Sequence, residues 1–355
     1  MHIKIKVLNV GDGDAIIVSL RKEEKKIVFM IDGGRARNSD VVMPALEEML
    51  KEAGIEGPEF ILCTHYDDDH IGGLPEIAKK YAKTLKTIWL HKTSVKVGQE
   101  ILTGKIASRP KRRGILPSQS GRYLQASSYA EFTQYQRVIR DLQQEIKFLD
   151  LLKTLAINTE EPVAGQFIIE GWPELTIISP TETLYRSLFP AKFKGAAIIR
   201  AEVSQLQGEE IAEGVSAISE DPNQALDHLP KTTLTPTNVN SAVLLLTVCG
   251  KKLLFAGDAG IRSLTSIPDH DELLAGIYWL KVPHHGSKNN LDSKLITLMR
   301  PVHAVISGNK HISPQVVKCF EHINCNLKTT RDDGTIVFEE TFNCQQGLSE
   351  AKHSD

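Results

Sequence analysis

Cysteine is scarce and scattered in this 355-residue chain. The five, Cys63, Cys249, Cys319, Cys325 and Cys344, are odd in number and share no close spacing, which argues against a disulfide framework. Cys63 and Cys249 lie in apolar runs and read as small buried hydrophobes. A Cys319–Cys325 pair is disfavoured in the reducing compartment expected here. No stretch approaches the roughly 18 apolar residues of a membrane span. The start, Met1-His2-Ile3-Lys4-Ile5-Lys6, alternates apolar and basic residues and lacks the apolar centre of a secretion signal. No membrane role and a cytoplasmic location are therefore expected. Charge of one sign is lacking too: 42 Lys and Arg face 44 Asp and Glu, a formal net charge of −2. Without a global electrostatic footprint for nucleic acid, any basic surface must be local. No internal repeat is visible.

What the chain does have is a crowd of ligand-type side chains. His65-Tyr66-Asp67-Asp68-Asp69-His70 follows the apolar run Phe60-Ile61-Leu62-Cys63 and leads into Ile71-Gly72-Gly73-Leu74. The run reads as a buried strand, so two histidines and three aspartates gather where a strand ends and a helix begins. Carboxylates packed this closely repel one another, and a bound cation relieves them. Imidazole with carboxylate suits zinc, manganese or iron, and the absence of cysteine argues against a closed structural zinc site. An acidic solvated turn is the plainer alternative. Three other segments weigh against it: Asp32 ends Ile27–Ile31, Asp258 follows Leu253–Gly257, and His284 and His285 follow Leu280–Pro283. Four strand-like segments thus deliver His or Asp at their C-terminal ends, where active sites commonly gather.

The order Asp32-Gly33-Gly34, then His65-x-Asp67-x-Asp69-His70, then Gly257-Asp258, then His284-His285-Gly286-Ser287 resembles the metallo-β-lactamase superfamily of two-metal hydrolases. The opening Val10-Gly11-Asp12-Gly13-Asp14, the segment Pro283 to Ser287, and Asn240 to Leu246 before the Gly-Asp strand look like its ComEC-type branch, which includes the hydrolase domain of competence DNA-uptake proteins. The resemblance implies an α/β fold, a four-layer αββα sandwich, in a detached soluble relative without the channel. It also implies two divalent ions, zinc or manganese. His65 and Asp67 would hold the first, Asp69, His70 and His285 the second, and Asp258 would bridge them. Asp67 stands where the familiar pattern has histidine, which shifts preference toward manganese. His284 would face the substrate as a catalytic group, although sequence alone leaves His284 and His285 interchangeable. Asp69 would also orient the attacking water, and Asp32 would accept a hydrogen bond from a ligand histidine; an ordinary turn Asp is its alternative. Asp12 and Asp14 read as loop-shaping, and His311 as surface or cleft lining. A further histidine ligand, common in the superfamily, is missing; Asn238, Asn240 and Ser241 occupy its place.

The motif blocks span most of the chain, so residues 1–345 are expected to form a single domain. Strands are predicted at 3–9, 14–20, 26–32, 59–64, 86–91, 174–179, 241–248, 252–257, 277–282 and 303–307, with a C-terminal strand pair at 326–330 and 335–340. Helices are predicted at 40–54, with Asp40 as N-cap and Gly54 as stop, and at 74–83, 290–299 and 313–323. Two insertions interrupt this core. Residues 92–165 carry a basic stretch and a long apolar-faced helix at 128–155, which either packs on the core or docks a partner. Residues 201–237 are acidic and read as a mobile loop. The tail 346–355 reads as disordered. Lys111, Arg112 and Arg113 offer phosphate contacts without reading bases. The resulting expectation is a metal-dependent phosphodiesterase, foremost a nuclease in which a metal-activated hydroxide attacks DNA. A hydrolase of small phosphodiesters or esters, and a partner-controlled or self-associating module, are the alternatives.

Overall fold

A computed structural model describes residues 1–92, 106–110, 122–126, 129–166, 169–188, 199, 202–204 and 221–343. Its strands, in chain order, are β1 (His2–Val7), β2 (Ala15–Lys22), β3 (Lys25–Gly33), β4 (Phe60–Leu62), β5 (Thr87–Trp89), β6 (Ile106–Pro110), β7 (Arg122–Ala126), β8 (Asn158–Glu160), β9 (Leu175–Ser179), β10 (Val243–Val248), β11 (Lys251–Phe255), β12 (Trp279–Lys281), β13 (His303–Ile306), β14 (Asn326–Thr329) and β15 (Ile336–Thr341). Seven form one sheet in the order β15-β1-β2-β3-β4-β5-β8, and six form a second, β14-β13-β12-β11-β10-β9. The strands β6 and β7 pair with each other.

Period-two burial explains the layering. In β1 to β3, Ile3, Ile5, Ile16, Val18, Phe29 and Ile31 face the second sheet and meet Leu244, Leu246, Leu253, Phe255 and Trp279 between the layers. Alternate residues, Ile17, Val28 and Met30, face outward onto helices, Ser39–Ala53 and Leu74–Lys80 among them. On the other side Val243, Leu245, Leu254, Leu280 and Ile306 face the helices Ser293–Met299 and Pro314–His322. Side chains alternate across a strand, so each sheet is buried on both faces and the layers read helix, sheet, sheet, helix.

The helix Tyr129–Thr154 buries Tyr135, Val138, Leu142, Phe148 and Leu152 in the first sheet's outer cluster. Their spacing by three, four and six residues is one helical face. That face is therefore packed on the protein's own core.

Several expectations need correction. The strands β14 and β15 are not a pair: β14 lies parallel to β13 in the second sheet, and β15 lies antiparallel to β1 in the first. Residues Thr330–Asp333 form a helical turn between them, capped by the Thr329 hydroxyl accepting from the Asp332 amide. Strand β8 pairs parallel with β5, so the insertion after residue 92 ends before 158. The expected loop at 201–237 contains the helix Pro222–Asp227, whose Leu226 packs with Leu229 in the second sheet's outer cluster, and Glu202 is buried as well. Cys249 is exposed at the β10–β11 turn with φ 48° and is disulfide-bonded. Asp40 lies in the first turn of its helix rather than at the cap, which Asn38 occupies, and Gly54 closes that helix at φ 68°. Lys111, Arg112, Arg113 and the tail from 346 lie outside the described residues. Among the described residues, no helix is long and apolar enough to cross a membrane.

A candidate metal centre

The strands β3, β4, β5 and β8 run parallel in one sheet, and β11 to β14 run parallel in the other. Their C-terminal ends therefore present loops at common edges. Asp32 is the penultimate residue of β3, with φ 56°. Three residues past β4 comes His65, and Asp67 then begins the one-turn helix Asp68–Ile71 in extended conformation, which turns Asp69 and His70 back toward the strand ends. Asp258 follows β11. His284 and His285 follow β12 in a tight turn with φ of 45° and 53°, a left-handed conformation that L residues adopt at a cost.

These side chains converge. His65 Nε2 lies 3.7 Å from Asp258 Oδ2 and 3.9 Å from Asp67 Oδ2. His70 Nε2 and His284 Nε2 lie 3.5 Å and 3.7 Å from the same Asp258 oxygen. His285 Nε2 lies 4.0 Å from Asp69 Oδ2. The ligand atoms of His65, His70 and Asp258 fall within 4.8 Å of one another, as do those of Asp69, His70 and His285. His70 thus belongs to both groups. Arg35 pairs with Asp68 at 2.5 Å and with Asp69 at 3.3 Å. His311 stacks loosely toward His284, ring centroids 5.7 Å apart.

Hydrogen-bond bookkeeping gives all four rings the same tautomer. The Thr64 hydroxyl donates its one proton to Asp32 Oδ2 at 2.7 Å, so its oxygen accepts at the 3.1 Å contact from His65 Nδ1–H. Asp32 Oδ2 also accepts from His70 Nδ1–H at 2.8 Å. The Ser307 carbonyl accepts from His285 Nδ1–H at 3.0 Å. Asn290 donates its amide protons to the Asp258 and Ala259 carbonyls, leaving its Oδ1 to accept from His284 Nδ1–H at 3.0 Å. Every Nδ1 is thereby anchored, and every Nε2 turns inward. Of these, His65 Nε2 and His70 Nε2 are buried with no hydrogen-bond partner, as is Asp258 Oδ1. Buried polar atoms without partners are costly, and a divalent cation would satisfy all three. The donor set, imidazole and carboxylate without thiol, fits such an ion.

Electrostatics reports the same crowding. Burial, with Asp69 and Asp258 nearby, pushes the Asp67 carboxyl up to about 6 despite Arg137. Burial and the neighbouring His70 bring His65 down to about 4. Burial also opposes charge on His70, but Asp258 and Asp32 outweigh it and hold that ring well above its ordinary value. Burial likewise opposes ionisation of Asp69, yet His70, His285 and Arg35 bring it down to about 2.

The family comparison fits that geometry. Residues 9–129 match the metallo-beta-lactamase superfamily. The matched stretch runs from the Gly11–Asp14 loop through the His65–His70 turn, and the two sheets with outer helices are consistent with the metallo-β-lactamase fold. No curated protein matches the chain. A solved structure described as a new diphosphatase from the PhnP family aligns over 96% of this chain and 98% of that chain, at 12% identity and a TM-score of 0.38, a likeness too remote to argue from. Divalent metal binding is what the metallo-β-lactamase fold implies for the His and Asp groups above.

Some contributors were not legible as site residues. Thr64, Asn290, Ser307 and Ser241 fix rings or backbone; Ser241 Oγ accepts from the Asp258 amide at 2.9 Å and contacts His65 Nδ1 at 3.4 Å. Where a superfamily histidine is missing, Asn238 Oδ1 and both polar side-chain atoms of Asn240 are buried without partners. Their only sequence signal is adjacency to the apolar run before Gly257-Asp258.

Proposed function

We propose that the chain is a metal-dependent phosphodiesterase that cleaves nucleic acid, DNA foremost, and that it belongs to the ComEC-type branch its sequence resembles. One observation carries the metal-dependent part: four imidazoles anchored through Nδ1 turn their Nε2 atoms toward Asp258 and Asp69. In this reading His65, Asp67 and Asp258 would hold one ion, and Asp69, His70, Asp258 and His285 a second. What two such ions supply when bound is Lewis acidity and a water ionised near neutral pH. His284, the most exposed of the four rings, faces the phosphoryl group and supplies a proton or positive charge to it. Asn290 keeps that ring's Nε2 turned inward. Asp69, braced by Arg35, orients the attacking water. Asp32 and Thr64 hold His70 and His65 in their binding tautomer.

Support for DNA comes from the ComEC-type sequence blocks and from the basic residues Lys111, Arg112 and Arg113, which suit backbone phosphates. The test is degradation of plasmid, linear DNA and cyclic dinucleotides by protein loaded with Mn²⁺ or Zn²⁺, beside Asp258→Ala. Wild type should cut DNA and Asp258→Ala should lose activity by at least about 100-fold together with bound metal. Cleavage of small diesters with DNA untouched would overturn the nuclease reading. Arg112→Ala with Arg113→Ala should weaken DNA cleavage about tenfold or more and leave a chromogenic small diester nearly unchanged; equal loss on both would remove the basic segment from the reading.

A further inference from the structure

The Gly11-Asp12-Gly13-Asp14 loop, absorbed so far only as a motif, packs directly against the turn that carries Asp69. Asp14 is 1% exposed. Its carboxylate meets Lys281 Nζ and accepts from Ser307 Oγ. Lys281 is completely buried at the end of β12, four residues before His285. Asp14 precedes β2 in the first sheet, whereas Lys281 belongs to the second, so this ion pair bridges the two layers. Backbone atoms of the same residue reach the ligand turns directly. The Asp14 amide donates to the Asp69 carbonyl at 3.1 Å, and its carbonyl accepts from the Gly34 amide at 2.7 Å. The approach is tight: at Gly13, φ 140°, a Cβ would come within 2.4 Å of the Asp69 carbonyl oxygen.

On the far side, the Ser307 carbonyl is the acceptor that fixes His285 Nδ1–H. Asp14 Oδ1 itself lies 3.8 Å from that nitrogen. Gly308, at φ 93°, leaves room for the ring, since a Cβ there would come within 2.8 Å of His285 Nδ1. One residue therefore holds both partners of the Asp69–His285 pair, one through its backbone and the other through Ser307. A buried ion pair is a poor device for stability alone, because desolvating two charges costs about as much as their attraction returns. Its presence under two ligand-bearing segments calls for a geometric role.

We infer that Asp14, neutralised by Lys281, is a positioning residue that sets the His285 tautomer and the Asp69–His285 separation, and thereby tunes the affinity of the second cation position without touching the first. The inference rests on the metal reading above. It does not involve the reacting atoms, so Asp14 and Lys281 are not catalytic residues.

The experiment is stepwise Mn²⁺ and Zn²⁺ titration of metal-free full-length protein by calorimetry, for wild type, the charge-neutral double variant Asp14→Asn/Lys281→Met, and Ser307→Ala. Nitrogen chemical shifts of the His285 ring are read in parallel. One of the two binding steps should lose 10- to 100-fold in the double variant, about the range for partners that orient metal ligands, and the other step should hold within about threefold. The His285 ring should change from the Nδ1–H form to a mixture. Ser307→Ala should lie between, since it removes the hydroxyl link and keeps the carbonyl. It also keeps the test alive if the double variant fails to fold. Two unaltered binding steps with an unaltered ring tautomer would overturn the inference, and so would equal loss of both steps. If wild type binds no divalent ion the functional reading fails, while the ring tautomer still decides whether Asp14 positions His285.

Discussion

Glu202 shows how far a single residue departs from its sequence context. It sits at the edge of an acidic stretch, where a solvated carboxylate is expected, yet it is 3% exposed and accepts from the Thr237 amide at 2.9 Å and the Thr237 hydroxyl at 2.7 Å. Burial pushes its carboxyl from 4.5 up to about 8; Thr237 opposes the rise and Asp67 adds to it. The folded protein keeps this proton up to about pH 8, while the unfolded chain releases it near 4.5. Its contribution to stability is intact below the lower value and is lost as pH rises through the interval, at up to ~1.4 kcal/mol per pH unit. Glu202→Gln should therefore match wild type at pH 4 and exceed it at pH 8.5 by roughly 2–4 kcal/mol in urea midpoint analysis. A variant no more stable than wild type at pH 8.5 would show that Glu202 ionises normally.

At the scale of elements, the long helix makes the clearest case. Its apolar positions 135, 138, 142 and 152 were readable from spacing alone, Phe148 was not, and all five fill the first sheet's outer layer. Phe148→Ala should cost about 3–5 kcal/mol and lower the melting temperature, whereas exposed Arg140→Ala should stay within about 0.5 kcal/mol. Similar penalties for both would place the helix off the core. The same kind of reading found β3, β4, β10 and β11, because apolar runs such as Phe60–Leu62 and Val243–Val248 announce themselves. It failed for β14 and β15 because alternation marks a strand without naming its neighbour: Ile336 pairs with Val7, over three hundred residues away. The candidate site divides likewise. His65 and Asp67 are two apart at a strand end, so their shared direction was legible. The Asp14–Lys281 bridge joins residues from opposite sheets, and nothing local announces it. Cys249 looked like part of an apolar run, but the β10–β11 turn puts it outside.

For the whole molecule, the crowded carboxylates and the inward-facing rings make folding and ion binding interdependent. Ions that bind only the folded state stabilise it by RT ln(1 + [L]/Kd), about 4 kcal/mol at a thousandfold excess over Kd. Removing divalent ions with a chelator should lower the melting temperature by several degrees, and re-adding Mn²⁺ or Zn²⁺ should restore it. A melting temperature indifferent to both treatments would argue that Asp67, Asp69 and Asp258 are stable together without a cation.

The sheet order carries a further consequence. Strand β9, from the portion before residue 200, forms an edge of the second sheet, while β15, from the very end of the described chain, forms an edge of the first. Each layer borrows a border from the other portion, like two hands with one finger exchanged. Severing the backbone between residues 204 and 221 would not by itself release either portion, because separation requires stripping β9 from β10 and β15 from β1. A clipped protein would travel as one particle, its ligand-bearing loops still facing each other.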